Sequence, residues 1–188
     1  MSGFYRLQDD VHVPGRWHLG DIRLHDGEEV FLNLGQRVEL ATPPFVAVSV
    51  RGRALEFSFT SFAVPVTSAG LGKAMSAAAP GCIQPVPLRI DGYGAFDALN
   101  VIRAVDCLDE RHSEFVKWTH DDERPDLEGE YRSVSRLCLD AALIPEDAHV
   151  FHIARYGVTV LVSQLMKSTM ESVGCLGARF VPVASSPK

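Results

Sequence analysis

The chain lacks the features that mark exported, membrane-spanning and nucleic-acid-binding proteins. Residues 1–6 contain no apolar segment of the kind found in signal peptides, and no apolar run approaches the ~18 residues of a membrane helix. Basic residues are scarce, with 18 Lys and Arg against 24 Asp and Glu and a formal net charge of -6. Because phosphate binding normally needs a basic excess, we expect a soluble, cytoplasmic protein with neither nucleic acid nor membrane as a direct partner.

Cysteine is also infrequent and never occurs as a Cys-x-x-Cys pair. The four cysteines are Cys82, Cys107, Cys138 and Cys175, and each lies among apolar neighbours. Widely spaced cysteines in apolar surroundings are typical of buried free thiols in a reducing compartment. We therefore expect neither disulfides nor a cysteine-based metal site.

Common catalytic motifs are missing as well. The segment 70–73 resembles a phosphate-binding loop, but Thr67 and Ala74 stand where a Walker A motif needs Gly and Ser or Thr. Met75 occupies the position of the third Rossmann glycine, and no Gly-x-Ser-x-Gly elbow occurs. We interpret the glycines as the start of a helix that packs close to a strand, and we predict no enzyme activity and no cofactor.

The length and the hydrophobic pattern predict one α+β domain over residues 1–188. Leu55, Phe57 and Phe59 alternate with polar residues, and period 2 marks a strand with one buried face. The apolar runs 30–32, 38–40 and 45–50 lie among turn residues, so residues 1–60 are predicted to be a β-rich part that forms an antiparallel meander. Residues 61–188 are predicted to be an α+β part.

Two helices are predicted, and each begins at a serine. Ser68 and Ser163 are suitable N-caps, and apolar residues follow both at helical spacing, which places helices near 68–79 and 163–173. Each segment follows an apolar run and ends before a Gly-Cys pair and a Val-Pro stretch, about 94 residues apart. We expect two related strand–helix–strand units on a mainly antiparallel or mixed sheet.

A metal site is one hypothesis for the N-terminal histidines. His18, Asp21, His25 and Asp26 lie close together in the sequence, with His12 upstream, and imidazole and carboxylate groups bind divalent metals. An odd separation would put His18 and His25 on opposite faces of a strand, and nearby glycines suggest turns. Ordinary surface histidines are the alternative; a small metal-dependent hydrolase is the function that a metal here would support.

A second acidic group surrounds residues 111–113. It consists of Asp106, Asp109, Glu110 and Glu114, and paired carboxylates perform acid–base catalysis when one of them has a raised pKa. A polar turn after the strand near residues 99–105 is the structural alternative.

The most polar stretch of the chain, residues 120–130, is predicted to be an exposed acidic loop, because unpaired carboxylates are costly to bury. Flanking aromatic residues are candidate anchors for a partner, since such residues are enriched at interface hot spots. A solvated loop with no partner is the alternative. The candidate partner-binding residues are Trp118, Asp121, Asp122, Glu123, Asp126, Glu128, Glu130 and Tyr131.

Short motifs across residues 28–183 resemble immunity family eleven of bacterial polymorphic toxin systems, long catalogued as a domain of unknown function. One departure is Phe151-His152, where the family tends to have Phe-Arg. The motifs that carry the resemblance are residues 55–57, 64–71, 99–101, 105–109, Ser113, 149–155, 161–163 and 174–183.

The resemblance implies a protein that binds a cognate toxin and blocks it, with no catalytic residues of its own. A toxin acting in the cytoplasm fits the expected location, and nuclease, nucleotide-degrading and protein-modifying toxins all remain open. Because a nuclease carries a basic phosphate-binding cleft, the acidic loop suits that class. A scaffold domain that binds a small effector is a further possibility.

Overall fold

The computed structural model describes residues 3–32 and 34–186, and strands dominate that part of the chain. Two α-helices interrupt the strands, α1 at Ala69–Ala78 and α2 at Gln164–Ser172. The strands are β1 Phe4–Asp9, β2 His18–Arg23, β3 Phe45–Val50, β4 Phe57–Phe59, β5 Pro65–Ser68, β6 Ile83–Leu88, β7 Phe96–Val101, β8 Ala104–Val105, β9 Glu114–Lys117, β10 Tyr131–Arg136, β11 Cys138–Asp140, β12 Val150–Ile153, β13 Tyr156–Ser163 and β14 Ala178–Ser186.

Two larger sheets carry most of these strands. The first has the order β11-β14-β1-β13-β12-β8, and the second has the order β4-β5-β7-β6. Pairing in the second sheet is antiparallel throughout, whereas β11–β14 and β12–β8 are parallel. Strands β2–β3 and β9–β10 form separate antiparallel pairs. The predicted α+β class, with mainly antiparallel or mixed sheets and two short helices, is confirmed.

The two larger sheets contain the same arrangement of five elements. In one, β4 pairs with β5, α1 crosses over β7, and β6 returns parallel to β5. In the other, β12 pairs with β13, α2 crosses over β1, and β14 returns parallel to β13. Each unit is a split β-α-β arrangement, as the repeated sequence pattern predicts. In the first unit the central strand is β7, which follows β6 through a hairpin. In the second unit the central strand is β1, which comes from the N-terminal end of the described chain.

Both helices begin as the sequence predicts, because each serine accepts a backbone hydrogen bond. The Ser68 Oγ accepts from the Leu71 N–H (3.4 Å), and the Ser163 Oγ accepts from the Met166 N–H (3.3 Å). The helices contact each other, and their buried residues share one core cluster with strands of both sheets. That cluster includes Leu71, Met75, Met166, Met170, Phe57, Leu99, Val160 and Val162.

Gly72 accounts for the close approach of α1 to its sheet. A Cβ atom at this position would lie 2.8 Å from the Thr67 Oγ1 atom and 3.3 Å from the Asp97 Oδ2 atom. A larger residue would therefore push the helix away from β5 and β7. The interpretation of these glycines as the start of a helix packed against a strand is confirmed.

The predicted N-terminal meander is wrong. Strand β1 belongs to the six-stranded sheet and β4 to the four-stranded sheet, while β2 pairs with β3. Residues 20–23, expected to be turn-like around Gly20, lie in β2, and the apolar runs 30–32 and 38–40 contribute no strand among the described residues. These assignments failed because a strand needs a hydrogen-bonding partner, and the partners of β1 lie more than 150 residues away.

A second core cluster lies beneath β2 and β3. Trp17 is fully buried, its Nε1–H donates to the Ser58 Oγ (2.8 Å), and its ring contacts those of Tyr93 and Phe96. A third cluster surrounds Phe151 and Leu161 beneath the β9–β10 pair. Neither helix of the described chain is long and apolar enough to cross a membrane.

Candidate functional site

The acidic loop, residues 120–130, connects β9 to β10. It contains a 3-10 turn at Pro125–Leu127, and its base is closed by two backbone hydrogen bonds. The Trp118 N–H donates to the Glu130 carbonyl (2.9 Å), and the Gly129 N–H donates to the Trp118 carbonyl (3.0 Å). The hairpin thus holds all six carboxylates of the loop together at one end.

Asp122 organises the first half of the acidic loop. Its Oδ2 atom accepts from the Thr119 N–H (2.7 Å) and the Thr119 hydroxyl (2.8 Å), while its Oδ1 atom accepts from Arg132 (3.0 Å). These contacts favour the ionised carboxylate, so the Thr119 hydrogen bonds and the nearby Arg132 charge lower the pKa of Asp122. Asp122 is therefore both a charge and a structural support of the loop.

The second half of the acidic loop is ordered by a fork-like ion pair. The Arg124 guanidinium donates to both oxygens of Asp126 at 2.8 and 2.6 Å, and this hydrogen bonding lowers the pKa of Asp126. The Glu128 carboxylate lies 3.7 Å from the His120 Nδ1 atom. Within the described chain, the other three carboxylates of the loop form no ion pair; they are Asp121, Glu123 and Glu130.

Trp118 lies half-buried at the base of the acidic loop. The Arg132 guanidinium stacks over its ring, 4.8 Å from the centroid, and the same guanidinium pairs with Asp122. Cation–π contacts of this kind restrain both side chains. The ring therefore remains partly accessible beside the fixed half of the loop.

Tyr131, the other predicted aromatic anchor, is a core residue. Its side chain is 4% exposed, its hydroxyl donates to the Glu110 carboxylate, and its ring packs edge-on against Phe115 (5.3 Å between centroids). Burial raises its pKa to about 12. The expectation that Tyr131 presents its ring to a partner is corrected: this ring attaches the hairpin to the body of the protein, because its apolar face is covered while its hydroxyl is satisfied.

The structure does not gather the N-terminal histidines and aspartates into a ligand set. His18, His25 and Asp26 are exposed, and Asp21 pairs with Arg23, which also binds Glu29. Across residues 3–32 and 34–186, no group of three or more His, Cys, Asp or Glu side chains has the arrangement of a metal site. The geometry gives the hydrolase alternative no support.

The acidic group around residues 111–113 forms local hydrogen bonds instead of a raised-pKa carboxyl pair. The His112 Nδ1 atom lies 2.6 Å from the Asp109 Oδ2 atom, and this hydrogen bond lowers the pKa of Asp109. Glu110 binds the Lys117 ammonium at 2.7 Å, which lowers the pKa of Glu110. Because a general acid near neutral pH needs the opposite shift, the structural interpretation of a polar turn fits better.

The cysteines are free, and three of the four are buried. Burial raises the pKa of Cys107 and of Cys175 to about 12, and it raises the pKa of Cys138. Cys175, the fourth, is half-buried. A nucleophilic cysteine needs a lowered pKa, so the interpretation of these residues as unreactive thiols is consistent with the structure.

An exposed apolar patch was not predicted from the sequence. Phe31, Leu34, Phe62 and Val158, which we call the apolar patch, are 58, 65, 61 and 59% exposed. All four line one cavity of about 220 Å³. The sequence around these four residues gives no sign that they are exposed, because large apolar residues are usually in the core.

Comparison with known families gives one match. Residues 96–185 match the model of the Immunity protein family (Imm11). This confirms the family resemblance predicted from the sequence over those residues, which contain the acidic loop; the match does not extend to residues 28–95. No curated protein matches the chain.

Proposed function

We propose that this protein is an immunity protein that neutralises a cognate toxin by stoichiometric binding. The observation that carries the proposal is the match of residues 96–185 to an immunity protein family. Such a family implies a non-enzymatic inhibitor whose partner is a toxin. The protein then acts in the cytoplasm and protects against a toxin whose target is there.

The acidic loop is the surface that we propose for this partner. Six carboxylates face only two guanidinium groups, those of Arg124 and Arg132, and both guanidiniums are already paired within the hairpin. A loop that is ordered before binding loses less conformational entropy on association. Its charge suits a basic cleft, and toxins that cleave nucleic acid need such a cleft for phosphate. We therefore propose a nuclease toxin as the preferred partner class.

The proposed function predicts a 1:1 complex with the toxin domain encoded beside this protein's gene. We expect equimolar protein to abolish the toxin's activity and to restore growth of a bacterial host that expresses the toxin. Light scattering on the eluted complex gives the stoichiometry, and titration of the activity gives the end point. Absence of a toxin domain beside the gene, or full toxicity at a molar excess of this protein, contradicts the proposal.

Neutralising the unpaired carboxylates of the acidic loop should slow association with the toxin. The variant Asp121→Asn/Glu123→Gln/Glu130→Gln removes three charges and leaves the supporting contacts of Asp122 and Asp126 intact. Because rim charges mainly steer the encounter, we expect the association rate to fall about tenfold at low ionic strength. Stopped-flow measurements at roughly 20 mM and 500 mM salt should show the difference shrink as screening increases.

A matched control removes the same number of carboxylates elsewhere. The variant Glu39→Gln/Asp91→Asn/Glu146→Gln changes three exposed residues outside the acidic loop. It makes the net charge less negative by the same amount and should change the rate by less than about twofold, since steering depends on charges near the contact. Equal slowing by both variants would mean that net charge alone acts, and unchanged rates for the loop variant would assign the loop to solvation.

A further inference from the structure

The apolar patch brings together three separate segments of the chain. Phe31 and Leu34 precede β3, Phe62 lies in the β4–β5 turn, and Val158 is on β13. The Phe31 and Phe62 ring centroids are 6.5 Å apart, although neither ring is buried. Contiguous exposed apolar side chains around a cavity are typical of interaction sites.

The cavity has a packed floor. Ile22, Leu32 and Val64 line it and are at most 6% exposed, and all three belong to the core cluster beneath β2 and β3. An apolar cavity of about 150 Å³ accommodates benzene. The volume of about 220 Å³ here therefore suits one large aliphatic or aromatic side chain of a partner.

Backbone hydrogen bonds hold the turn that presents Phe62. The Thr60 N–H donates to the Val64 carbonyl (3.0 Å), and the Ala63 N–H donates to the Thr60 carbonyl (3.1 Å). Ala63 has a left-handed backbone with φ +56°, a conformation that surrounding structure must hold in place for a non-glycine residue. The backbone that presents Phe62 is thus held in place, which lowers the entropy cost of using this residue as an anchor.

Acidic residues border the apolar patch on one side. Asp21 and Glu29 line the cavity, and both carboxylates engage the single guanidinium of Arg23, at 3.5 and 2.8 Å. The surrounding segment 21–29 also contains Asp26 and Glu28, so carboxylates outnumber the arginine four to one. This edge of the cavity carries net negative charge.

One residue of the acidic loop lies near the apolar patch as well. A second cavity of about 200 Å³ shares Leu34 and Gly157 with the first, and Glu130, the last residue of the acidic loop, lines it. Arg155 also lines this second cavity, but its guanidinium is paired with Asp106 (3.0 Å). The apolar patch therefore adjoins two acidic edges, the segment 21–29 and Glu130, an arrangement of apolar centre and charged rim seen in protein interfaces.

We infer that the apolar patch is the central anchor site of the toxin interface, and that its occupant is a large apolar side chain of the toxin flanked by Lys or Arg on both sides. This inference rests on the proposed function and adds the contact chemistry of the partner. A second copy of this chain would bring two acidic edges together, which like-charge repulsion disfavours. The basic toxin surface satisfies the apolar centre and both edges at once.

The variant Phe31→Ala/Phe62→Ala tests the inference. Because both rings are exposed, the fold should survive, as a thermal melt of the free variant will show. Central apolar anchors are hot spots, so we expect affinity for the purified toxin domain to fall about 30-fold, mainly through faster dissociation. The loss should persist at high salt, unlike the effect of the acidic-loop variant. The control Val11→Ala/Leu143→Ala removes two similarly exposed apolar side chains (65 and 56%) and should change affinity less than about twofold.

Hydrogen exchange on the wild-type protein gives an independent readout that needs no substitution. Amides in residues 60–63 and 157–158 should gain further protection, beyond that of the free protein, when the toxin domain binds. If the wild type binds the toxin but the Phe31→Ala/Phe62→Ala variant binds it with unchanged affinity, the inference is overturned and the proposed function stands. Binding of the toxin by the wild type without this protection has the same consequence. Failure of the wild type to bind the toxin overturns both. A dimer of the free protein that the variant abolishes assigns the patch to a second copy and overturns the inference.

Discussion

The free energy of unfolding should fall by roughly 2 to 3 kcal/mol between pH 7 and pH 4.5 because of His152 alone. His152 lies in β12 and is 2% exposed. Burial lowers its pKa from 6.5 to about 4. The folded state therefore holds the ring neutral while the unfolded state takes up a proton, so stability is lost as the pH falls from about 6.5 towards 4.

Burial makes the neutral form of His152 the stable one, although its hydrogen bond to Thr159 acts in the opposite direction and raises the pKa. One ring nitrogen, Nδ1, lies 2.9 Å from the Thr159 carbonyl, which can only accept. Nδ1 therefore carries the proton, and the Nε2 atom has no partner among the described residues. A charged ring would place an unpaired N–H in the core. His152 lines the second cavity, the one of about 200 Å³ beside the apolar patch, together with Glu130, Arg155 and Tyr156.

The variant His152→Asn separates this effect from general acid sensitivity. An asparagine amide can still donate to the Thr159 carbonyl but does not titrate, so the stability loss between pH 7 and pH 4.5 should shrink by about 2 kcal/mol or more relative to wild type. Urea unfolding at several pH values measures it. The carboxylates with lowered pKa contribute stability that is lost mainly below their unfolded values of 4.5 for Glu110 and 3.8 for the aspartates, so they change stability little above pH 4.5. Replacing the exposed His18 is the control, and a variant profile equal to that of wild type would contradict the assignment.

Gly177→Ala should lower the free energy of unfolding by roughly 3 kcal/mol. Gly177 has φ +101°, and a Cβ atom there would overlap the Phe57 carbonyl oxygen and lie 3.0 Å from two carbon atoms of Leu55. Its carbonyl accepts from the Asp10 N–H (2.7 Å), and the neighbouring Leu176 carbonyl accepts from the Phe57 N–H (3.0 Å). The first bond extends the β1–β14 pairing, and the second joins this end of β14 to β4 of the other sheet, so the chain has little freedom to move aside.

Gly174→Ala is the matched control for this substitution. Gly174 also has a left-handed backbone (φ +73°), but a Cβ atom there would meet nothing within 4 Å. We expect it to cost about 1 kcal/mol, the conformational penalty alone. Urea unfolding of both variants gives the difference. If the two costs agree within error, the chain at Gly177 can shift, and its contacts with Leu55 and Phe57 are not the constraint that we describe.

Sequence alone located the helices and the exposed acidic loop because those features depend on nearby residues. A serine cap and apolar residues at helical spacing act within a few positions, so Ser68 and Ser163 mark α1 and α2. Six carboxylates in eleven residues stay in water wherever the segment lies, since burying them unpaired is costly. The repeated order of these signals also predicted the two related units.

Tertiary structure alone decided which strands pair and which aromatic rings reach the surface. Strand β1 completes the unit around α2 only because partners more than 150 residues away supply its hydrogen bonds, whereas the similar run 30–32 joins no strand within the part of the chain that the structure describes. Phe62 and Tyr131 show that the sequence does not determine side-chain exposure either: Phe62 is 61% exposed and Tyr131 is 4% exposed. Either aromatic ring suits a core or a surface, and distant elements, which local sequence does not encode, determine whether it is covered.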